Sequence, residues 1–482
     1  MSFRFLLPAA CVIFLGGCMV GPKYKQPAAP VPPAYKELPE TDQWKVAHPN
    51  AEALRSNWWE IFGDPQLNAL EEQVTVSNQN LKMAAARFRQ ARATVRYYRA
   101  GEFPTIAVSP GVQAFRYSPN QPYFPSGDTG IGSTGNFLLP FDLSYEVDLW
   151  GRIRRTVAAA RAEAQASAGD LASTTLSMQA ELAYDYFELR SADSQKRLLD
   201  DTVKAYADMV DLTGALFNGG AAGEPDVVQA RTQLDTTRVQ DTDIGVMRAQ
   251  YEHAIAVLIG KPPAEFAIAP RSQPFEPPAI PVGLPSQLLE RRPDIASAER
   301  RVAEANEGIG IARAAYFPSL TIGGDVGLQA QHISNLFTWP SRFWAMGPQT
   351  SEIIYDGGRR RAGVEQAQAN YDATVATYRE TTLEAFQQVE DNLAALRILA
   401  QEATQQDQAV HEAQRDVSLY TASYEGGADP YLQVVTAQTT LLFNQRNEID
   451  ILRRQMDASV LLIKALGGGW NASQLPPAKS LP

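Results

Sequence analysis

The chain has 482 residues and a formal net charge of −11, which argues against nucleic acid as a partner and suits a surface or lumen that prefers cations. Past the N-terminus no stretch has the uninterrupted apolar run that a transmembrane helix needs, so a membrane crossing would have to use strands. The two cysteines, Cys11 and Cys18, both fall at the N-terminus and give no sign of a disulfide framework.

Residues 1–17 read as a secretory signal, with Arg4 followed by an apolar run from Phe5 to Leu15 that Pro8 interrupts. The run is too short to span a bilayer as a helix. It ends in "LGGC", which resembles a bacterial lipoprotein cleavage box, so Cys18 is the expected lipidated first residue and Cys11 leaves with the signal. Met19 stands where an aspartate would suggest retention at the inner membrane, which favours the outer membrane. Acyl chains hold a protein at a membrane without making it cross. An extended, proline-bearing segment, 18–65, follows.

The rest is written twice. An offset of 207 residues aligns Gly151-Arg152 with Gly358-Arg359, Leu189-Arg190 with Leu396-Arg397, and Gly219-Gly220-Ala221 with Gly426-Gly427-Ala428. Phe103-Pro104 and Phe317-Pro318 match at an offset of 214, which puts a short length difference in the loops between. The first repeat spans 66–261 and the second 286–468, joined by the proline-rich segment 262–285 and followed by a tail, 469–482.

Each repeat opens with a helix, about 66–101 and about 286–316. Two strands follow, about 103–118 and 136–150 in the first repeat and about 317–332 and 342–356 in the second. A long helix comes next, 152–218 and 359–425, then a Gly-Gly turn and a return helix, 225–260 and 431–467. Between Arg152 and Asn218 there is no proline, and apolar or large residues recur at steps of three and four, among them Leu182, Tyr186, Leu189, Leu199, Val203, Tyr206 and Val210. This predicts a narrow coiled-coil stripe with water on both flanks, on a helix about 100 Å long at 1.5 Å per residue. Such a helix suits the wall of a tube, and it equally suits a structural coiled coil.

The strands bear on that choice. In "FLLPFDLSYEVDL", Phe137, Leu139, Phe141, Leu143, Tyr145, Val147 and Leu149 share one face and Asp142, Ser144, Glu146 and Asp148 the other. Leu320, Ile322, Val326, Leu328 and Ala330 likewise oppose Thr321, Asp325, Gln329 and Gln331. Strands of about ten residues with a dyad period are expected of an outer-membrane barrel, although a half-buried soluble sheet alternates in the same way. Four strands per chain cannot close a barrel, and an open edge in hydrocarbon leaves backbone groups unpaired, so several copies must share one barrel. Parity does not choose among eight, twelve or sixteen strands.

At the strand-to-helix switches, "YEVDLWGRIRR" and "IIYDGGRRRAG", Trp150 is the candidate membrane-interface ring. Arg152, Arg154 and Arg155, and Arg359, Arg360 and Arg361, oppose the helix macrodipole, so helix stability does not explain them. Attraction to lipid head groups and salt bridging to acidic strand ends both remain open.

"NWWEIFGDPQLNALEEQV" (Asn57 onward), "LLERRPDIASAERRVAEANEGIGIARAAYFPSL" (Leu288 onward), "EVDLWGR" and "IYDGGRR" together resemble the outer-membrane efflux protein family, nearest the NodT-type lipoproteins, relatives of TolC. The resemblance covers essentially the whole mature chain. It implies a mixed α+β membrane protein: a homotrimer with a twelve-stranded β-barrel in outer-membrane lipid, four strands per chain, continued by a long α-helical periplasmic barrel. Expected partners are a periplasmic adaptor protein and an inner-membrane pump of the RND type. The implied function is that of a passive duct exporting small molecules. A lipid-anchored periplasmic scaffold, or a duct for type I protein secretion, is the alternative.

By the same resemblance Gly219, Gly220, Ala221, Gly426, Gly427 and Ala428 form the periplasmic tips that meet the adaptor, and Asp429 matches a ring of carboxylates at the narrow entrance. The first repeat departs from that pattern and offers Glu224 and Asp226 instead. Asp429 is equally placed to act as an ordinary cap, just before a helix. No catalytic residue, metal site or cofactor is expected. The four histidines, His48, His253, His332 and His411, are scattered without ligand spacing, and no phosphate-binding glycine loop is present.

Overall fold

A computed structural model describes residues 19–37, 57–116, 118, 134–271, 275–280, 282 and 285–482. In chain order the elements are α1 (Pro65–Ser77), α2 (Gln79–Arg99), β1 (Thr105–Val108), β2 (Gly111–Phe115), β3 (Thr134–Val147), α3 (Arg152–Asn218) and α4 (Glu224–Leu258). The second half repeats them as α5 (Leu288–Arg291), α6 (Pro293–Ala314), β4 (Ser319–Ala330), β5 (Arg342–Ser351), α7 (Arg359–Glu425) and α8 (Tyr431–Ala465).

The opening helix of each repeat is not continuous, which corrects the sequence reading. The first breaks at Asn78, which is extended (φ −60°, ψ 129°); its side chain caps α2 by accepting from the Asn80 and Leu81 amides at 2.9 and 3.1 Å. Its side-chain nitrogen in turn donates to the Leu258 carbonyl at 2.8 Å, tying the break to the end of α4. The second breaks at Arg292, which Pro293 forces into an extended conformation (φ −97°, ψ 122°). Asn78 and Arg292 are 214 residues apart, the offset that already relates the Phe-Pro pairs, so the duplication preserves the break while changing its chemistry.

One antiparallel sheet contains all the strands among the described residues, in the order β1-β3-β4-β5 with β2 also on β3. The strand expected at 103–118 is two pieces, because Pro110 has no amide to donate to the ladder. Pro140, level with this interruption, faces Gly327, where a side chain would run into the Leu139 carbonyl. The other strands are shorter at their helix ends than the sequence suggests. β3 stops at Val147 and β5 at Ser351, well before the left-handed Gly357 and Gly358 that lead into α7.

The principal core lies at mid-length of the helices. Trp58, Leu67, Leu182, Tyr186, Phe187, Ile255, Phe386, Val389, Met456 and Val460 belong to it, drawn largely from α1, α3, α4, α7 and α8. Here the narrow-stripe expectation fails: from Leu182 to Asp193 every residue of α3 except Tyr184 is buried, because α1, the linker and α8 surround the helix. Beyond this belt the stripe returns, with Leu199, Tyr206, Met209 and Thr213 buried at steps of seven, three and four.

Two duplicated arginines tie the loose segments to this belt. Arg190, fully buried, pairs with Asp193 at 2.7 Å, donates to the Ala269 carbonyl of the linker at 3.0 Å and stacks on Tyr186. Asp193 also accepts from Arg248 at 2.7 Å and from the Arg271 amide at 3.0 Å. Arg397, its counterpart, pairs at 2.6 Å with Glu37 of the N-terminal segment. Removing a buried carboxylate strands the cations around it. Asp193→Ala is therefore expected to cost about 3 kcal/mol, measured by chemical denaturation followed by circular dichroism. A loss within about 0.5 kcal/mol, the size of an ordinary surface substitution, would contradict the assignment of Asp193 as the knot of the belt.

Candidate functional site

The functional geometry falls at three levels along the molecule. At the strand-to-helix switches, Gly151 (φ +80°) and Gly358 (φ +90°) turn the chain through a left-handed conformation that only glycine adopts without strain. Neither glycine has a side chain to cap the helix it precedes. The task falls to Asp148, which accepts from the Ile153 and Arg154 amides at 3.1 and 2.9 Å, and to Asp356, which accepts from the Gly358 and Arg360 amides, both at 3.0 Å. Each carboxylate also holds an arginine, Arg154 at 3.1 Å and Arg360 at 2.7 Å. The Arg360 amide, together with the neighbouring guanidinium and the Gly358 amide, holds the Asp356 carboxyl below its ordinary range.

The structure therefore bears on the question left open for the arginines. Arg152 pairs with Glu146 at 2.6 Å, Arg361 with Glu365 at 3.0 Å, and Arg360 adds Glu352 at 3.2 Å. Arg155 turns inward, buried beside Glu307 at 2.6 Å and lying over Gly310, where any side chain would collide with it. Of the six, only Arg359 has no side-chain partner among the described residues. The carboxylates offset the cations that the macrodipole disfavours, so each arginine cluster is part of a charge-balanced helix start. Trp150 donates to the Pro318 carbonyl at 2.8 Å and stacks on Phe317 at 4.6 Å, which locks the first switch to the start of β4.

Cys18 lies outside the described residues. Its neighbour Met19 packs on Gly151, and the Val20 amide donates to the Trp150 carbonyl at 3.1 Å, so the described N-terminal segment begins at the switch. It then descends beside α6 and α7 through Tyr24–Glu299, Gln26–Tyr378 and the Lys36 amide on Glu390.

Within the sheet, register sets the two faces. Phe141 pairs with Val326 and that with Trp344, while Asp142 pairs directly with Asp325. Like charges opposite one another are unfavourable across a ladder unless water surrounds them. Their shared face therefore suits a wet, cation-attracting lumen.

At the far end, Gly219, Gly220, Ala221, Gly426, Gly427 and Ala428 are all exposed. Ala221 and Gly220 donate to the Leu216 and Phe217 carbonyls at 2.8 and 2.9 Å, and Ala428 and Gly427 to those of Ser423 and Tyr424, both at 2.9 Å, closing the same helix end twice. The acids beyond the turns separate. Asp429 does not cap α8, whose N-cap is Pro430; it accepts from the Ser423 hydroxyl at 2.6 Å and is half-buried. Asp226 folds back on the Gly223 amide at 3.4 Å, and Glu224 is exposed. Tyr424 and Tyr431 pack between the two tips at 5.2 Å, and burial pushes the Tyr431 hydroxyl up to about 12.

Sequence reasoning missed a group of acids at the belt. Asp185, Glu188 and Asp457 cluster with Arg453 where α3 meets α8, with Tyr251 of α4 beside them. Burial first, then Glu181 and Glu188, push the Asp185 carboxyl up to about 7; burial and Glu188 push Asp457 the same way. Glu71, wholly buried in the core with no hydrogen-bond partner for its carboxylate among the described residues, is raised by burial alone. The missing signal is tertiary: Asp185 is buried only once neighbouring helices pack against α3, with Tyr251 of α4 beside it.

The sequence profile described as outer membrane efflux protein matches residues 70–261 and 284–468. The chain is 32% identical over 482 residues to the toluene efflux pump outer membrane protein TtgI of Pseudomonas putida, covering 98% of this chain and 100% of that one. It is 29% identical over 484 residues to the pyoverdine export outer membrane protein OpmQ of Pseudomonas aeruginosa, covering 98% of each. Among solved structures it superposes on the outer-membrane channel OprN with a TM-score of 0.86 at 28% identity, over 94% of this chain and 100% of that chain.

The raised Asp185 carboxyl gives a signed pH dependence. Between the ordinary aspartate value near 4 and about 7, the unfolded chain releases a proton that the folded chain keeps, so stability falls as pH rises through that window. Asp185→Asn is expected to flatten that decline in thermal melts from about pH 4 to about pH 7. An unchanged slope would show that Asp185 ionises normally in the fold.

Proposed function

The chain belongs to the outer membrane efflux protein family, and on that footing we propose that three copies build one continuous duct through the outer membrane and the periplasm. The protein is an outer-membrane efflux channel. Each copy supplies the equivalent of four strands, and three copies close a twelve-stranded barrel. The paired 67-residue helices continue that barrel away from the lipid. Lipid on Cys18 anchors the chain beside the switch, next to which Met19 is packed.

The observation that carries this reading is the sheet's two faces. One is apolar from Phe137 to Val147 and through Leu320, Ile322, Val326 and Leu328; the other carries Asp142 and Asp325 side by side. Such a sheet fits lipid on one side and water on the other. The exposed turn residues, Gly219 to Ala221 and Gly426 to Ala428, are the proposed contacts for a periplasmic adaptor, with an RND-type inner-membrane pump supplying the energy. Asp429 is the proposed gate carboxylate, held in place by Ser423. Relatives are named for toluene and pyoverdine export, and small molecules are the proposed cargo class here. The chain itself is proposed to catalyse nothing.

Planar-bilayer recording of the purified protein tests this directly. Wild type is expected to conduct with a preference for cations, and Asp142→Asn/Asp325→Asn to lose much of that preference while still conducting. A wild-type protein that inserts but passes no ions would contradict the duct and favour a periplasmic scaffold.

A further inference from the structure

The switches and the opposite end of the sheet treat arginine differently. At the switches, all but one of the arginines are held by carboxylates. At the far end stands Arg342, the first residue of β5. No hydrogen bond or ion pair engages its guanidinium among the described residues; it lies instead over the Trp339 ring, 3.8 Å from the centroid. The sequence has no acidic residue between Asp325 and Glu352, so its own hairpin offers no carboxylate.

Register places this cation on the apolar face. Arg342 pairs with Leu328 and that with Leu139, while the next outward residue of β5, Trp344, pairs with Val326. An arginine in that row would be costly deep within hydrocarbon, and it occurs at the first residue of β5, one step inside the Phe137–Ala330 pair that closes the row. Phe337, Trp339 and Trp344, all within five residues of it in the chain, are each at least three-quarters exposed, aromatic side chains of the kind that collect where hydrocarbon gives way to head groups. The loop that carries them is built rather than slack: the Asn335 carbonyl accepts from the Thr338 hydroxyl at 2.7 Å and the Ser341 hydroxyl at 2.6 Å, and Leu336 is buried beneath it.

An indole face gives a guanidinium no hydrogen-bond acceptor, so its N–H groups stay available, and two of them match two oxygens of a phosphate. We propose that Arg342, seated on Trp339, binds the phosphate of an outer-leaflet lipid head group and fixes the outer rim of the sheet at that depth. The site rests on the reading that the apolar face meets lipid. It recognises the phosphate, while the aromatic ring aligns the guanidinium and contributes apolar contact to the lipid beside it.

Native mass spectrometry of the full-length protein in detergent, titrated with diphosphorylated lipid A and with its dephosphorylated form, tests the proposal. Wild type is expected to prefer the phosphorylated lipid, and Arg342→Ala to bind it about tenfold more weakly, as for loss of one charge-assisted contact, with no change for the dephosphorylated form. Trp339→Ala is expected to fall between the two. Equal preference in wild type and Arg342→Ala, or an equal loss for both lipids, would overturn it. Bilayer conductance of the same Arg342→Ala sample keeps the two readings apart: a conducting variant that binds lipid A as wild type does removes the head-group site and leaves the duct standing.

Discussion

An unpaired backbone amide or carbonyl in hydrocarbon has nothing to bond with, and this constraint organises the molecule. The sheet of one chain ends in open edges, β1 and β2 on one side and β5 on the other, with an apolar face that water would not tolerate. Closure by further copies pairs both edges and covers neither face. The outer face is left to lipid and the inner face, with its opposed aspartates, to water. The long helices follow from the same demand, because a ring of copies fixed in the membrane continues as a ring of helices below it.

The duplication supplies each junction twice, and the two solutions differ in detail. Asp148 and Asp356 both cap a 67-residue helix whose N-cap glycine has no side chain to do so, and both then hold an arginine. The arginines are stabilising only because those carboxylates are present. The breaks at Asn78 and Arg292 keep their place while one is made by a capping amide and the other by a proline. At the belt, Arg190 secures the linker and its counterpart Arg397 secures the N-terminal segment, so one ancestral position holds two unrelated pieces of chain.

Much of the fold class was legible because its signals are periodic. Strand alternation, the proline-free helical stripe and the repeated Gly-Gly-Ala turns each leave a mark that needs no tertiary knowledge. What stayed hidden depends on contacts. Asn78 reads as an ordinary helix residue until its side chain is seen to reach both α2 and the end of α4. The burial of Asp185, Glu188 and Asp457 is invisible in segments that read as one face of a solvated helix. Asp429 sits where a cap would be expected, yet Pro430 takes that position and Ser423 claims the carboxylate. The capping acid of the first switch was visible as an acid on the wet face of the strand; that it caps the helix appeared only with the geometry.

The central claim is that closure is shared among identical chains, and particle mass in detergent tests it most directly. Light scattering of the solubilised mature protein, corrected for bound detergent, should return three chain masses and hold that value on dilution. A stable particle of one chain mass, with its sheet intact, would contradict the account.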